Sequence, residues 1–576
     1  MNALPFRIKI GVTGKRENLP PIPLLKNKIW QVLGIDEWNL DKTVANNSIF
    51  SLIQYESLVQ LKKAKNTPIA FSILSALAEG ADRIVAEVIL ETVNAKLEAI
   101  LPLTKEDYLT DFKADGSKEQ FEALLKMDSS AISLRNKSIA EEYTETMRGP
   151  ARRKAYWQVG KHIVDRCDVL IVIWDGVASA GKGGTYDVME YAKKQKRPFI
   201  LINSTDPDIE VKLVKGNGIH AEAIAHIDHY NTYELPSQTI HDYKENVFKE
   251  YFNEKKFPWS KNFNSNILTG LKEDLFPYYA RASLLAKSYK NRYKWTGQLA
   301  YFCSTVAVII LLISIVFNIF TLAAFFIEFF LLLFIFSIIT LAQKRKVHTR
   351  WLEYRFLVER IRACPYFFLA GKEVSGAIVT SNSGPKPIKG QWAVMVFSEI
   401  WHQLNSNYRK HFAGQVENSF NPHLIPYVQK SLIEGQISFQ KKYFRRNNRK
   451  NNLLERGGRL IFFIAILAAL THIVLSYLYH DSPRFYLLHK VLTVLALSLP
   501  TIAAAFEGVR RQSEYSRNKN RSEGLLSALE ELKNKFESAA SQDEFDILLR
   551  EADNLMLGET KEWMMLMVPS ELEYIC

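Results

Sequence analysis

Four stretches of the chain are each long and apolar enough to cross a bilayer, and no other feature limits the fold so strongly. A spanning helix needs about 20 predominantly apolar residues, and 296–317, 323–342, 460–479 and 485–506 all reach that length. In hydrocarbon every backbone N–H and C=O must be satisfied within the protein, so these runs are expected to be helical. The first two are separated only by the uncharged Asn318-Ile319-Phe320-Thr321-Leu322, and the last two by a link whose charges are Asp481 and Arg484. They therefore pair as two hairpins. In the fourth run Lys490 stands near the start and Pro500 near the end; a lysine can reach back to the interface, and proline is tolerated in a spanning helix.

Charge orients the hairpins. The 576 residues carry a net charge of +13, and much of the excess flanks the apolar runs. Lys287, Lys290, Arg292 and Lys294 precede the first, and Lys344, Arg345, Lys346 and Arg350 follow the second. Arg445, Arg446, Arg449 and Lys450 precede the third, and Arg510, Arg511, Arg517, Lys519 and Arg521 follow the fourth. The positive-inside rule then places both termini and the loop between hairpins in the cytoplasm of a multi-pass inner-membrane protein. It also accounts for the basicity without a nucleic-acid partner.

Glu328 lies about two turns into the second run. A carboxylate at that depth either faces a water-filled path or bonds to a neighbouring helix. Four spans enclose no wide path, so a homo-oligomer of closed symmetry is expected. Tyr289-Lys290-Asn291-Arg292 and Tyr443-Phe444-Arg445-Arg446 before the hairpins, with Glu353-Tyr354 and Glu514-Tyr515 after them, point to a duplication offset by about 150 to 160 residues.

Residues 1–205 alternate short β-rich runs with helical patterns, which indicates a parallel sheet covered on both faces. The expected strands are 7–12, 69–74, 97–103, 169–174 and 198–203, and the unbroken Val169-Leu170-Ile171-Val172-Ile173-Trp174 suits a strand buried on both sides. Ligands of such sheets bind outside the carboxyl ends of the strands. Three glycine-bearing turns fall there: Gly11-Val12-Thr13-Gly14-Lys15-Arg16, Ser75-Ala76-Leu77-Ala78-Glu79-Gly80-Ala81-Asp82, and Trp174-Asp175-Gly176 followed by Gly183-Gly184-Thr185. Glycine lets backbone approach an anion, and Gly-Gly-Thr opening a helix offers free N–H groups at the positive end of its dipole. Asp82 suits a helix N-cap. The candidate ligand-binding residues are thus Gly11, Gly14, Lys15, Arg16, Ser75, Glu79, Gly80, Asp82, Asp175, Gly183, Gly184 and Thr185. Arg148, Arg152, Arg153 and Tyr156 either join them or form an exposed helix start. No metal or cofactor is expected: the four cysteines lack metal spacing, and His220, His226 and His229 do not share one helix face.

Asp168-Val-Leu-Ile-Val-Ile-Trp-Asp-Gly176, Gly183-Gly-Thr185 and Leu74-Ser-Ala-Leu-Ala-Glu-Gly-Ala-Asp82 together resemble the SLOG superfamily, which includes the cytokinin-activating phosphoribohydrolases and the DNA-processing DprA proteins. The membrane part is similar in architecture to the SLATT class of two-helix effector modules. Trp351-Leu-Glu-Tyr-Arg and Phe506-Glu-Gly-Val-Arg-Arg stand where that class carries its post-hairpin helix. The resemblance implies an effector of bacterial antiviral conflict, its SLOG-like domain sensing a nucleotide or NAD-derived signal and its hairpins perturbing the lipid bilayer. The enzymatic members carry Pro-Gly-Gly-x-Gly-Thr-x-x-Glu. Here the proline is missing, Val188 stands at the glutamate position, and the acids are Asp187 and Glu190. The alternative, a membrane-anchored nucleotide or NAD N-glycosidase, would have to use Asp187 or Glu190 as its base.

The expected organisation is a Rossmann-like α/β domain (1–205), a connecting region (206–285), a first hairpin with flanking helices (286–365), a cytoplasmic helical region (366–430), a second hairpin with flanking helices (431–540) and a C-terminal tail (541–576).

Overall fold

The computed structural model describes residues 3–127, 132–133, 149–177, 183–205, 210–219, 221, 223–372, 374, 391–408, 423–478, 483–539 and 541–567. Arg148, His220, Asp481 and the ends of the connecting loops lie outside that set. The chain divides into two compact units, Met1–Glu234 and Leu235–Cys576.

The first unit is built on a seven-stranded sheet: β1 (Phe6–Gly14), β2 (Ile69–Ser75), β3 (Lys96–Leu101), β4 (Ile132–Ser133), β5 (Val169–Trp174), β6 (Phe199–Asn203) and β7 (Val211–Val214), in the order β4-β3-β2-β1-β5-β6-β7. All neighbours are parallel except β6 and β7. Val169 to Ile173 are fully buried, as a strand covered on both faces must be. The helices used below are α1 (Ile22–Leu33), α2 (Ala81–Leu90), α3 (Ser117–Met127), α4 (Gly149–Arg166), α5 (Thr185–Lys194) and α6 (Ile224–Thr232).

Two glycines of β1 set the layers. A Cβ at Gly11 would stand 2.7 Å from Ile163 Cγ2 of α4, and one at Gly14 would stand 2.3 Å from Ala81 Cβ of α2. Positions three apart on a strand face opposite sides, so α4 and α2 press on opposite faces of the same strand. Gly11 is therefore a packing position beneath α4. β7 and α6 complete the unit beyond residue 205: β7 pairs antiparallel with β6, and Asn231 accepts from Leu4 N–H at 3.0 Å and donates to Leu4 C=O at 2.9 Å.

The second unit is helical: α7 (Ser237–Tyr251), α8 (Phe276–Phe317), α9 (Thr321–Lys344), α10 (Val347–Leu369), α11 (Gln391–Tyr408), α12 (Gly435–Leu478), α13 (Tyr486–Gln512), α14 (Tyr515–Ser538) and α15 (Gln542–Met567). Four of its helices are long and apolar enough to cross a membrane. They carry 296–317, 323–342, 460–478 and 486–506 of the four apolar runs, and α13 continues through Pro500. α8 and α9 run in opposite directions, with Ala300 and Cys303 packed on Ile335 and Ile339. α12 and α13 do the same: Gly457 lies against Phe506, and His472 meets Thr493 at 3.2 Å. Small residues let such helices approach closely where hydrophobic burial supplies no drive.

Glu328 is half-buried on α9. It falls in the series Ala324, Glu328, Leu331, Ile335, Ile339, whose helical spacing puts it on the face packed against α8. Elsewhere the unit buries an ion pair between Arg360 of α10 and Asp553 of α15 at 3.5 Å, with Arg360 also over the Phe397 ring. The leucine stripe of α14 is core: Leu525, Leu529 and Leu532 are buried.

Candidate functional site

Strand order reverses between β1 and β5, since the chain runs outward to β4 on one side and outward from β5 on the other. The crevice at the carboxyl ends of such strands is where this sheet architecture opens to ligands. Lys15 sits there. Its N–H donates to Ile173 C=O of β5 at 3.2 Å, its C=O accepts from Ala81 N–H of α2 at 3.1 Å, and its ammonium pairs with Asp175 at 2.9 Å. Asp175 is held below the usual carboxylate range: slight burial opposes the charge, but the Lys15 ammonium and the Val177 N–H outweigh it.

The β2 turn closes onto the β1 turn. Gly80 has φ 83° and ψ −124°, a backbone region that only glycine occupies readily. A Cβ there would stand 2.5 Å from Arg16 C=O and 2.7 Å from Lys15 C=O. Gly80 is therefore the N-cap of α2, and Asp82, expected at the cap, is instead the second residue of the helix. Its buried carboxylate faces the backbone N–H groups of Ala78 and Gly14, one from each turn, which favour its charged form. Burial pushes its pKa up to about 7, against the opposing pull of Arg16 and those N–H groups. Ser75 Oγ accepts Leu77 N–H at 2.9 Å and holds Leu77 at positive φ.

Arg83 is the residue that sequence reasoning passed over. It is 2% exposed. Nε donates to Leu77 C=O at 3.0 Å, and Nη1 donates to Ser117 C=O at 2.8 Å and Ser117 Oγ at 2.7 Å. The guanidinium lies 4.4 Å from the Phe112 ring centroid. Nη2 has no hydrogen-bond partner. Above it opens a cleft of about 560 Å³ whose wall includes Arg16, Glu79, Gly80, Arg83, Lys113 and Ser117. Glu79 is braced by the N–H groups of Lys113 and Ala114 at 2.9 and 3.2 Å. A donor left unpaired in a buried guanidinium costs stability unless something fills it. The one signal in the sequence was an arginine inside the Ala81–Leu90 helix, next to Asp82 and followed by six apolar residues interrupted only by Glu87.

The third turn has a different character. Gly183, at φ 103°, rests against Arg153 C=O and Trp157 of α4, and Gly184 is the N-cap of α5, which Thr185 opens. Asp187 reaches back to accept the Gly183 N–H at 2.8 Å, so a carboxylate already occupies part of the helix N-terminus. Glu190 is a turn further on, half-buried and paired with Lys193. Neither Gly183 nor Thr185 lines the Arg83 cleft. Arg152 is drawn away into ion pairs with Asp107 at 2.9 Å and Asp111 at 2.8 Å, and Tyr156 donates to Asp111 beneath Arg16. The structure thus brings Arg16, Glu79 and Gly80 to the cleft, Ser75 and Asp82 to the network below it, Gly14, Lys15 and Asp175 beside it, and leaves Gly11 in the packing. Among the described residues no group of acidic, histidine or cysteine side chains could hold a metal ion.

No protein-family model, curated protein or solved structure matches the chain.

Proposed function

We propose that the chain is a ligand-gated membrane effector, in which the Rossmann-like first unit senses a nucleotide or NAD-derived signal and the four apolar helices, as two transmembrane hairpins with cytoplasmic ends in an inner membrane, permeabilise the bilayer during antiviral defence. The observation that carries the reading is a nucleotide-sized cleft whose wall brings together Arg16, Arg83 and the close-approach backbone of Gly80. Ligand sites of about 300–1,000 Å³ with a few convergent polar groups are the usual small-molecule pockets. Two guanidinium groups and a glycine backbone on one wall are well suited to phosphate oxygens. The signal would favour one oligomeric arrangement of the chain; a switch from 1:99 to 99:1 takes about 5.5 kcal/mol of differential affinity.

The test is a thermal-shift screen of the full chain in neutral detergent against nucleoside monophosphates, cyclic nucleotides, NAD and ADP-ribose, with product analysis on every hit. Stabilisation without turnover, lost in Arg83→Met, supports a sensor. The absence of a shift with every compound, or equal binding by Arg83→Met, refutes it.

A further inference from the structure

The second unit gathers a group of cations on α8 and α12. Lys290 and Lys294 stand one turn apart on α8, and Arg446 and Lys450 one turn apart on α12. Lys294, Arg446 and Lys450, with Arg355 of α10, all act on Lys290, and Arg446 and Lys450 act on Lys294 as well. The ammonium of Lys294 lies 5.9 Å from the ring centroid of Tyr515, and that of Lys450 lies 5.7 Å from the same ring. Tyr515 itself is buried, so α14 supplies an aromatic floor between two amines. Among the described residues none of Lys290, Lys294, Arg446 and Lys450 has a carboxylate within ion-pair distance. Arg355 does, but its partner Glu359, at 3.1 Å, is shared with Arg362 at 2.8 Å.

Like charges gathered in a half-buried space repel, and the protein shows the strain: burial first, then Arg355, Lys294, Arg446 and Lys450, lowers the Lys290 pKa to about 7. Lys294 is lowered too, by burial and by Lys450 and Arg446, against the opposing effect of Tyr515. A fold can neutralise such a cluster with aspartate or glutamate. This one leaves it basic, close to where α8 turns apolar.

We propose that Lys290, Lys294, Arg446 and Lys450, floored by Tyr515, form a binding site for a phosphate-bearing anion of two or more negative charges. Two sources share that chemistry. One is a phosphomonoester lipid headgroup, which basic pockets at the ends of membrane helices are suited to bind. The other is a soluble phosphoanion. The site belongs to the second unit alone and is independent of the Arg83 cleft.

The experiment uses the full chain in phosphatidylcholine nanodiscs, wild type beside Lys290→Met, Lys450→Met and, as control, Lys287→Met, an exposed lysine on the same helix. Each is titrated with inorganic pyrophosphate, and separately reconstituted with phosphatidic acid in the disc. Thermal midpoint and hydrogen exchange over 286–296 and 443–455 are read. Protection by pyrophosphate assigns a soluble anion, and protection by phosphatidic acid a lipid headgroup. In either case Lys290→Met and Lys450→Met each weaken the effect about tenfold, the loss expected for one charge-assisted bond, while Lys287→Met does not. Without any anion, Lys290→Met raises the midpoint, because one repelling charge is gone. No protection by either probe, or an equal loss in Lys287→Met, overturns the proposal. If one lysine variant fails to fold, the other carries the test.

Discussion

Replacing Asp82 with asparagine turns the buried carboxylate beneath the cleft into a measurable pH dependence. Burial raises the Asp82 pKa from the ordinary 3.8 to about 7 in the folded chain. Between those values the folded state keeps a proton that the unfolded state has lost. The associated stabilisation is therefore complete below 3.8, declines as pH rises, and is gone above about 7. The full span is worth about 4 kcal/mol at 1.36 kcal/mol per pH unit. The asparagine would mimic the protonated acid: its carbonyl can still accept from the Ala78 or Gly14 N–H, and it carries no charge at any pH. All other titrating groups are common to both proteins and cancel in the difference. Hydrogen exchange of β1 and α2 amides in the intact chain, corrected for intrinsic rates, should show similar opening free energies near pH 4. Near pH 8, Asp82→Asn should be more protected by up to about a thousandfold. A flat difference across that range, or a variant weaker at every pH, would refute the claim that desolvation outweighs Arg16 and the two N–H donors.

Other outcomes follow from the same geometry. Gly80→Ala forces a side chain into a backbone region costing about 1–3 kcal/mol and a Cβ onto two carbonyl oxygens, so hydrogen exchange across Lys15–Ile84 should speed up and nucleotide-induced stabilisation should vanish. Asp553→Ala removes the carboxylate that lies 3.5 Å from the buried Arg360 guanidinium. That loss should cost about 3–5 kcal/mol and lower the thermal midpoint in detergent, whereas Arg360→Met with Asp553→Leu should recover most of it. Glu328→Gln keeps the shape of the α8–α9 seam and removes its charge. If the assembled helices conduct, cation flux in proteoliposomes should fall, and unchanged flux would remove Glu328 from the path.

Much of this architecture was legible because its signals are local. The β1, β2, β3, β5 and β6 strands are legible within two residues of their ends: β5 and β6 read as unbroken apolar runs, as strands buried on both faces do, and β1, β2 and β3 as short β-rich runs between turn residues. β4 and β7 were not: one spans two residues, and the other is the half-exposed Val-Lys-Leu-Val at an edge. The turns at the strand ends were legible as glycine-bearing segments, but what each glycine does was not. Gly14 and Gly80 serve close approach between two turns, while Gly11 serves helix packing; these are distinctions of which atom lies opposite. The Gly183-Gly184-Thr185 turn reads as an anion cradle until Asp187 is seen reaching back to Gly183. Arg83 was hidden because its partners, Ser117 and Gln120, are far along the chain, and a single arginine in a helix otherwise reads as solvated.

The duplication is where structure alters the sequence reading most. The two longest helices of the second unit begin with the same device, a π-helical turn running straight into each: Leu271–Leu275 before α8, Gln429–Glu434 before α12. Each second helix of a pair ends with another. Arg345 N–H bonds Leu341 C=O, Lys346 N–H bonds Gln343 C=O, and Arg350 N–H bonds Lys346 C=O; Ser513, Glu514 and Asn518 repeat those bonds to Val509, Arg511 and Glu514. Lys346 and Glu514 both adopt positive φ, at 49° and 52°, a conformation a lysine or glutamate enters at a cost. A strained residue recurring at the same joint, with the same three hydrogen bonds, is harder to reach twice by chance than a shared tyrosine or basic run. These joints also show why the sequence motifs are offset unevenly. Glu514 is the joint itself, whereas Glu353 lies seven residues past its joint at Lys346, so the two Glu-Tyr pairs are not equivalent positions. The repeat is carried by backbone geometry and helix length, which tolerate almost any side chain on the outer faces. The two halves can therefore diverge in sequence, one keeping Glu328 on its inner seam and the other His472 and His489, while the joints stay fixed.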